Sequence, residues 1–193
     1  MVADESAVER SALKEWAVLV DAMMRGELIA MIRKGGIREQ RAGFSVRHDR
    51  FLLYPTFFHE KANELAPRFA ADLDASHGRK PEAGTIRIEC VADVVGVWQV
   101  TELEALLAIE GEHGMSWSAI ESRFHYKNRP GVQVVAVRVS RLAEPAVVPE
   151  VRRYLGCVSW VALDEGIDVS NATPVVDDAA LMMRVARLEN ALR

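Results

Sequence analysis

Two glycines lie beside three cationic side chains in the segment 33–39, which reads Arg33-Lys34-Gly35-Gly36-Ile37-Arg38-Glu39. Glycine adopts positive φ without strain and lets a backbone approach a ligand closely. Arginine and lysine supply the donors that phosphate and carboxylate oxygens accept. The segment therefore predicts a phosphate-facing turn. A solvated hairpin turn, with its charge partly neutralised by the terminal glutamate, is the alternative.

Aromatic and polar residues that suit a nucleotide follow soon afterwards. Tyr54 and Phe58 are candidate stacking surfaces, and Thr56 and His59 are candidate polar readers of a base. Stacking on an aromatic ring contributes roughly 1–3 kcal/mol per base, enough to matter beside screened phosphate contacts. Because Tyr54 lies in an apolar run, burial in the core is its alternative role.

A second basic cluster reads Arg123-Phe124-His125-Tyr126-Lys127-Asn128-Arg129. Cations interleaved with aromatic rings are typical of a groove that follows a nucleic-acid backbone and stacks its bases. We include Arg123, Tyr126 and Lys127 in the candidate site. An exposed helix end with Phe124 turned inward is the alternative. Binding is favoured most if both clusters share one face, which the sequence does not decide.

Catalytic signatures are weak. Three pairs of imidazole and carboxylate occur, at 48–49, 59–60 and 112–113, but none has the spacing of a known metal or acid–base site. The acids Glu89, Asp93 and Glu102 lack the Glu-x-Lys that would favour a metal-dependent nuclease. We therefore predict no catalytic residue, no metal and no cofactor, with a nuclease as the least favoured reading.

The composition is that of a folded globular protein. Of 193 residues, 50% are hydrophobic and 27% are charged, which predicts one domain over 1–193, with 1–10 flexible. The net charge of −4 argues against a surface that binds polyanions throughout, but not against a local basic patch. Cys90 and Cys157 are expected to be free thiols. An acidic amino terminus and the lack of a long apolar stretch predict a cytoplasmic protein.

The hydrophobic pattern predicts an α+β fold with a mixed or barrel-like β core flanked by helices. We predict helices over 11–25, 59–73, 102–109, 116–122 and 178–192, and strands over 28–33, 44–46, 51–54, 132–139 and 155–163, with one long or two short strands over 86–100. Pro55 should end its strand, Thr56 should cap the following helix, and 143–151 should be irregular.

The C-terminal helix over 178–192 carries an apolar stripe. It could dock on its own domain, which we favour, or on a second copy of the chain. Trp98, Trp117 and Trp160 are either core residues or anchors of an interface. A protein partner, or a homodimer formed through this helix, is therefore the alternative to a nucleic-acid ligand.

Several motifs together resemble the bacterial family called domain of unknown function 1802. They are Ala12-Leu13-Lys14-Glu15-Trp16-Ala17, the segment 33–39, Phe51-Leu52-Leu53-Tyr54-Pro55-Thr56 with His59 behind it, Arg123-Phe124, and the strand over 134–142. The resemblance covers most of the chain. It implies a link to restriction–modification systems rather than a defined activity.

A fainter resemblance is to PUA-like and ASCH domains, small β-barrels that bind RNA or modified bases. Gly26-Glu27 precedes the strand over 28–33, and a Val-rich strand ends in Leu-x-x-Pro at 142–145, as in those domains. The full Gly-x-Lys-x-x-Glu pattern is missing. Together, residues and resemblances predict a non-enzymatic module that binds RNA, DNA or a modified nucleotide, with a protein partner or a dimeric accessory subunit as the alternative.

Overall fold

A computed structural model of the chain describes residues 8–34, 46–156 and 158–193. The strands are β1 (Val8–Trp16), β2 (Ala30–Arg33), β3 (Arg50–Thr56), β4 (Thr85–Val100), β5 (Val132–Pro149), β6 (Trp160–Asp168) and β7 (Thr173–Pro174). The α-helices are α1 (Ala17–Met24), α2 (Pro67–Ala70), α3 (Leu73–His77), α4 (Trp117–Phe124) and α5 (Asp178–Leu192). Short 3-10 helices cover Ala62–Glu64, Leu103–Glu112, Tyr126–Asn128 and Arg152–Tyr154.

The seven strands form one mixed sheet. Six of them follow the order β2-β5-β4-β3-β1-β6, and β7 pairs with β5. β1 and β3 run parallel, whereas the other pairs are antiparallel. The predicted α+β class, with a mixed sheet flanked by helices and a C-terminal helix, is confirmed.

The neighbouring strands β1 and β3 separate two apolar cores. Leu13 and Leu53 pack in the cluster that contains α1, whereas Ala12, Leu52 and Tyr54 belong to the cluster formed with β6. This division follows from the two-residue period of a strand, which sends successive side chains to opposite faces. Both faces of β1 and β3 are therefore covered, and Tyr54 is part of a core.

The predicted helix over 11–25 is wrong in its first half, which is strand β1. Residues 8–16 pair with β3 on one side and β6 on the other, so the ladder overrides an apolar stripe that also fits helical spacing. Residues 8–10, expected to be flexible, belong to this strand. The helix begins only at Ala17, where the Glu60 carboxylate accepts a hydrogen bond from Val18 N at 3.1 Å.

The single helix predicted over 59–73 is also wrong. The chain there forms a 3-10 turn and the short helices α2 and α3, and Pro67 occupies the first position of α2, where its missing N–H is tolerated. Thr56 does not cap a helix, because it pairs with Trp16 in the ladder between β1 and β3. Pro55 does not end β3, which continues to Thr56. The proline is tolerated because it lies beyond residues 50–52, which pair with β4.

The stretch 143–151, predicted to be irregular, mostly continues β5. Pro149 is the last residue of that strand, and Pro145 falls in a register shift between Arg141 and Ala146. Prolines are accepted at such strand ends and bulges.

The remaining elements lie close to their predicted positions. Residues 86–100 form one long strand, the last long strand is displaced to Trp160–Asp168, and the helix over 102–109 is a 3-10 helix. Ser116 caps α4 by accepting from Ala119 N at 3.4 Å. Of the predicted strand over 44–46, residues 44 and 45 lie outside the described residues.

Helix α5 docks on its own chain. Leu181 and Leu188 are fully buried, and Asp177 caps the helix by accepting from Ala180 N at 2.9 Å. Met182 and Met183 are each 60% exposed, so a homodimer through this helix stays a prediction.

The three candidate interface tryptophans, Trp98, Trp117 and Trp160, are partly buried against the apolar clusters. Cys90 is a buried free thiol, whereas Cys157 lies outside the described residues. No helix in the described part of the chain is long and apolar enough to cross a membrane.

Candidate ligand-binding cavity

Described residues from both predicted clusters meet at one cavity of about 720 Å³. Seven of the predicted site residues line it, namely Arg33, Lys34, Tyr54, Thr56, His59, Arg123 and Tyr126. Lys127 is not among the lining residues, although its ammonium lies 5.3 Å from the centre of the Tyr126 ring. Gly35, Gly36 and Arg38 lie outside the described residues. The ends of β1, β2 and β3 and the last turn of α4 bring the two clusters together.

The cavity is strongly positive although the chain is acidic. Among the described residues, six cationic side chains line it, from Lys14, Arg33, Lys34, Lys80, Arg87 and Arg123. Against them stand the carboxylates of Glu15 and Glu150, so the formal charge of the lining is +4 in a chain of net charge −4. Walls of one sign focus an electrostatic field and concentrate ligands of the opposite charge.

Arg33 is held by a buried ion pair. Its Nη1 lies 3.2 Å from Glu15 Oε2, and the side chains are 11% and 6% exposed. The same nitrogen donates to Lys14 O at 3.1 Å. The other carboxylate oxygen, Glu15 Oε1, accepts from Trp16 N at 2.9 Å. These bonds fix the guanidinium at the junction of β1 and β2.

Arg123 joins the second cluster to the same wall. Its Nη1 donates to Ile32 O at 3.1 Å, and its guanidinium lies 5.4 Å from the centre of the Trp16 ring. Burial lowers the pKa of Arg123, and Arg33 lowers it further, while Glu15 raises it. An arginine in this position remains cationic and would be stabilised by an incoming anion.

Lys34 links the two clusters through hydrogen bonds. Its ammonium donates to the carbonyl oxygens of Phe124, at 2.9 Å, Arg129 and Gly131. Gly131 has a φ of 111°, so the turn that supplies one of these carbonyls requires glycine. Burial lowers the pKa of Lys34. Since an ammonium has three donors, its predicted phosphate contact would require one of these bonds to break.

Tyr54 forms part of the cavity floor and is not a stacking surface. It is 2% exposed, and the Lys14 ammonium lies 5.4 Å from its ring centre. Its hydroxyl donates to Glu150 Oε1 at 3.1 Å. Burial, with a smaller contribution from Glu150, raises the pKa of Tyr54, so the phenol stays protonated and remains a donor. The Lys14 ammonium itself donates to the carbonyls of Tyr154 and Gly156.

The segment after β3 forms an aromatic rim. Phe58 is 74% exposed, and its ring centre lies 4.1 Å from that of His59. His59 has a φ of 64°, a left-handed conformation that is strained in residues other than glycine. The adjacent Glu60 anchors the segment, because its fully buried carboxylate accepts from Val18 N and contacts His77 Nε2 at 2.6 Å.

A second exposed ring in the lining is that of Tyr126, which is 41% exposed. Lys127 and Asn128 follow it with φ values of 57° and 55°. With His59, these are the residues other than glycine that have positive φ in the described part of the chain. His59 lines the cavity, and the other two directly follow Tyr126, which also lines it. Strained backbone concentrates at ligand sites, where the surrounding structure holds it in place.

Several lining residues were missed by the sequence analysis. Lys14, Glu15 and Trp16 lie in the strand that was predicted as a helix, so their position at the end of a sheet could not be inferred. Lys80 and Arg87 belong to no motif, and Glu150 fell in the stretch predicted to be irregular.

The described histidines and acids do not assemble a metal site. No group of three or more metal-ligating side chains occurs among them. Glu60 accepts from Val18 N in α1 and contacts His77, and Glu112 pairs with Arg184 at 2.6 Å. The carboxylates of the pairs at 59–60 and 112–113 therefore have structural partners.

Comparison with known proteins gives a family and a distant structural neighbour. A crystal structure of a mutant form of the ZmASCH protein from Zymomonas mobilis is similar over 79% of this chain and 87% of that one, at 12% identity and a TM-score of 0.46. At that TM-score and identity, the likeness supports no inference about ligand. A search of curated proteins finds no match. The model of the family described as "Domain of unknown function (DUF1802)" matches residues 12–187, and the chain therefore belongs to that family.

Proposed function

We propose that the cavity binds a nucleotide, either as one residue of a single-stranded nucleic acid or as a modified nucleotide. The observation that carries this proposal is the formal charge of +4 around a cavity of about 720 Å³ in a chain of net charge −4. Because the surplus of positive charge is local, the ligand is expected to be an anion that enters the cavity.

The volume favours a small ligand or a single unstacked residue. Sites for small molecules and cofactors occupy roughly 300–1,000 Å³, and the cavity lies inside that range. A base inside a duplex is stacked and paired, so it would first have to leave the helix. Single strands offer their bases without that energetic cost. We therefore expect single strands to bind more tightly than duplexes.

The lining offers separate surfaces for phosphate and base. Arg33 and Arg123 present guanidinium groups, whose planar fork suits phosphate oxygens. Lys80 adds exposed positive charge at the edge, whereas the exposed Arg87 is paired with Glu89 at 3.0 Å. Phe58 and Tyr126, rather than Tyr54, are the exposed rings on which a base could stack.

The resemblance to proteins linked with restriction–modification suggests which nucleotides to test first. Methylated bases are the chemical marks that separate modified from unmodified DNA. We extend the proposal to a role beside such a system in the bacterial cytoplasm. The ligand panel therefore includes 5-methylcytosine and N6-methyladenine in both single and double strands.

The experiment is a fluorescence anisotropy titration of the full chain with labelled single- and double-stranded RNA and DNA at several salt concentrations. Lys80→Glu is the test variant, and Lys61→Glu is the matched control, because Lys61 is exposed but does not line the cavity. Reversing the charge at Lys80 should weaken binding at least tenfold and reduce the salt dependence by about one released counterion.

Two outcomes would overturn the proposal. One is the absence of saturable binding across the panel, which would shift support to a protein partner and make a pull-down the next step. The other is equal weakening by Lys80→Glu and Lys61→Glu, because general surface charge rather than the cavity would then explain the affinity.

A further inference from the structure

We infer that Glu150 makes the cavity selective for bases that carry an exocyclic amino group, so that cytosine binds more tightly than uracil. This inference rests on the proposed function, since it concerns the part of the ligand that enters the same cavity. It is carried by one carboxylate whose position and bonding differ from those of the other charged groups in the lining.

Glu150 is the one lining carboxylate that is not engaged in an ion pair with an arginine in the described part of the chain. Glu15 is buried and paired with Arg33, so its charge is already matched. Glu150 is exposed, and its Oε1 accepts a hydrogen bond from Tyr54 Oη at 3.1 Å. A carboxylate offers about four acceptor positions. Capacity therefore remains for a donor on the ligand.

A carboxylate acceptor among cationic side chains indicates which chemical groups the ligand carries. An anion alone would gain nothing from a carboxylate in its site and would be repelled by it. A nucleotide with an amino base satisfies both requirements, because its phosphate meets the cations and its amino group donates to the carboxylate. Glutamate and aspartate accept from the N4 amino group of cytosine in the same way when proteins read DNA. Uracil carries the acceptor O4 in place of that amino group. Two acceptors would then face each other, and no hydrogen bond would form.

Tyr54 acts as a positioning residue for this acceptor. Its ring is fixed by burial in the core around β3 and β6, and its protonated hydroxyl donates to the carboxylate at neutral pH. The backbone helps, because Glu150 N donates to Gly84 O at 2.8 Å. The flexible glutamate side chain is thereby tied to a rigid element, as a selective site requires.

The test compares oligonucleotides of five cytosines and five uracils, as RNA and as DNA, in the anisotropy assay. The parent protein should prefer cytosine about tenfold, the effect of one hydrogen bond to a charged group. Glu150→Ala should bring the ratio of the two affinities close to one. The matched control is Glu144→Ala, because Glu144 is an exposed residue of β5 that does not line the cavity. It should leave the ratio unchanged.

Tyr54→Phe separates positioning from folding. Loss of the hydroxyl should lower the preference for cytosine while the salt dependence of uracil binding stays the same. A change in stability alone would alter both affinities together and leave their ratio intact. The ratio therefore reports the predicted role even if the variant is less stable.

The failure of this inference is distinguishable from failure of the proposed function. Equal, salt-dependent binding of cytosine and uracil strands by the parent would overturn the selectivity and leave nucleotide binding in place. A preference that survives Glu150→Ala would also overturn it. Absence of saturable binding to these four strands and to the rest of the nucleotide panel would overturn both proposals.

Discussion

Replacing Glu15 by glutamine should lower the stability of the fold and raise its affinity for nucleic acid. The carboxylate uses both oxygens, one for Arg33 at 3.2 Å and the other for Trp16 N at 2.9 Å. An amide has a single acceptor oxygen, so one of the two buried donors must lose its partner. Most substitutions that lower stability also weaken binding. A variant that is less stable but binds more tightly is therefore a stringent test.

The size of each effect follows from the geometry. Two unit charges 3.2 Å apart interact by about 5 kcal/mol at an effective dielectric constant near 20, an upper bound because desolvation opposes it. Glutamine retains one acceptor, so we expect the free energy of unfolding to fall by about 2 kcal/mol. The formal charge of the lining rises from +4 to +5, and affinity at low salt should increase about fivefold, or about 1 kcal/mol.

Urea denaturation followed by tryptophan fluorescence measures the first effect, and salt-dependent anisotropy titrations measure the second. Glu27→Gln is the matched control, because Glu27 pairs with Arg25 at 2.5 Å on the surface, where the side chains are 40% and 38% exposed. It should change stability by less than about 1 kcal/mol and leave binding unaltered. Weaker binding by Glu15→Gln with an unchanged salt slope would refute the assignment of Arg33 to the ligand.

Three further predictions concern the rim, the C-terminal helix and pH. Phe58→Ala should weaken single-strand binding about tenfold in anisotropy titrations without lowering stability, because the ring is 74% exposed. Arg184→Ala should lower the free energy of unfolding in urea by about 3 kcal/mol, since its guanidinium bonds a carboxylate and two carbonyls, whereas the exposed Arg187→Ala should have little effect. Burial lowers the pKa of His113 from 6.5 to about 4, so between pH 6.5 and pH 4 the unfolded chain binds more protons than the folded chain. The free energy of unfolding should therefore fall by about 3 kcal/mol as the pH drops from 6.5 to 4. Urea titrations against pH should lose this dependence in His113→Gln and keep it in His125→Gln.

Local signals identified the elements that depend on local structure. Helix α5 combines an aspartate cap with an apolar stripe, and α4 begins at a serine cap, so both could be predicted from neighbouring residues. Strand β1 could not, because its partners β3 and β6 lie far along the chain and its apolar spacing also fits a helix. The helix over 59–73 failed because the apolar stripe continues through Pro67, which starts a new helix.

The candidate site shows the same division. Arg33, Lys34, Arg123 and Tyr126 were identified from their clustering, and the fold brings all four to one cavity. The bond between the Lys34 ammonium and Phe124 O joins residues 90 positions apart, so no local pattern could predict that this lysine would be occupied by carbonyls. The net charge of the chain also could not predict a positive cavity, because the cationic side chains come together only when the strands assemble.

Chemical-shift mapping of the full chain with a short single strand tests the central claim most directly. A ¹⁵N-labelled sample titrated with a five-residue oligonucleotide should show saturable shifts at 56–59, at Lys80 and at Tyr126, which surround the cavity. Helix α5, where Met182 is exposed away from the cavity, should remain unchanged. Shifts confined to α5, or binding that leaves the cavity residues unperturbed, would contradict the assignment of this cavity as a nucleotide site.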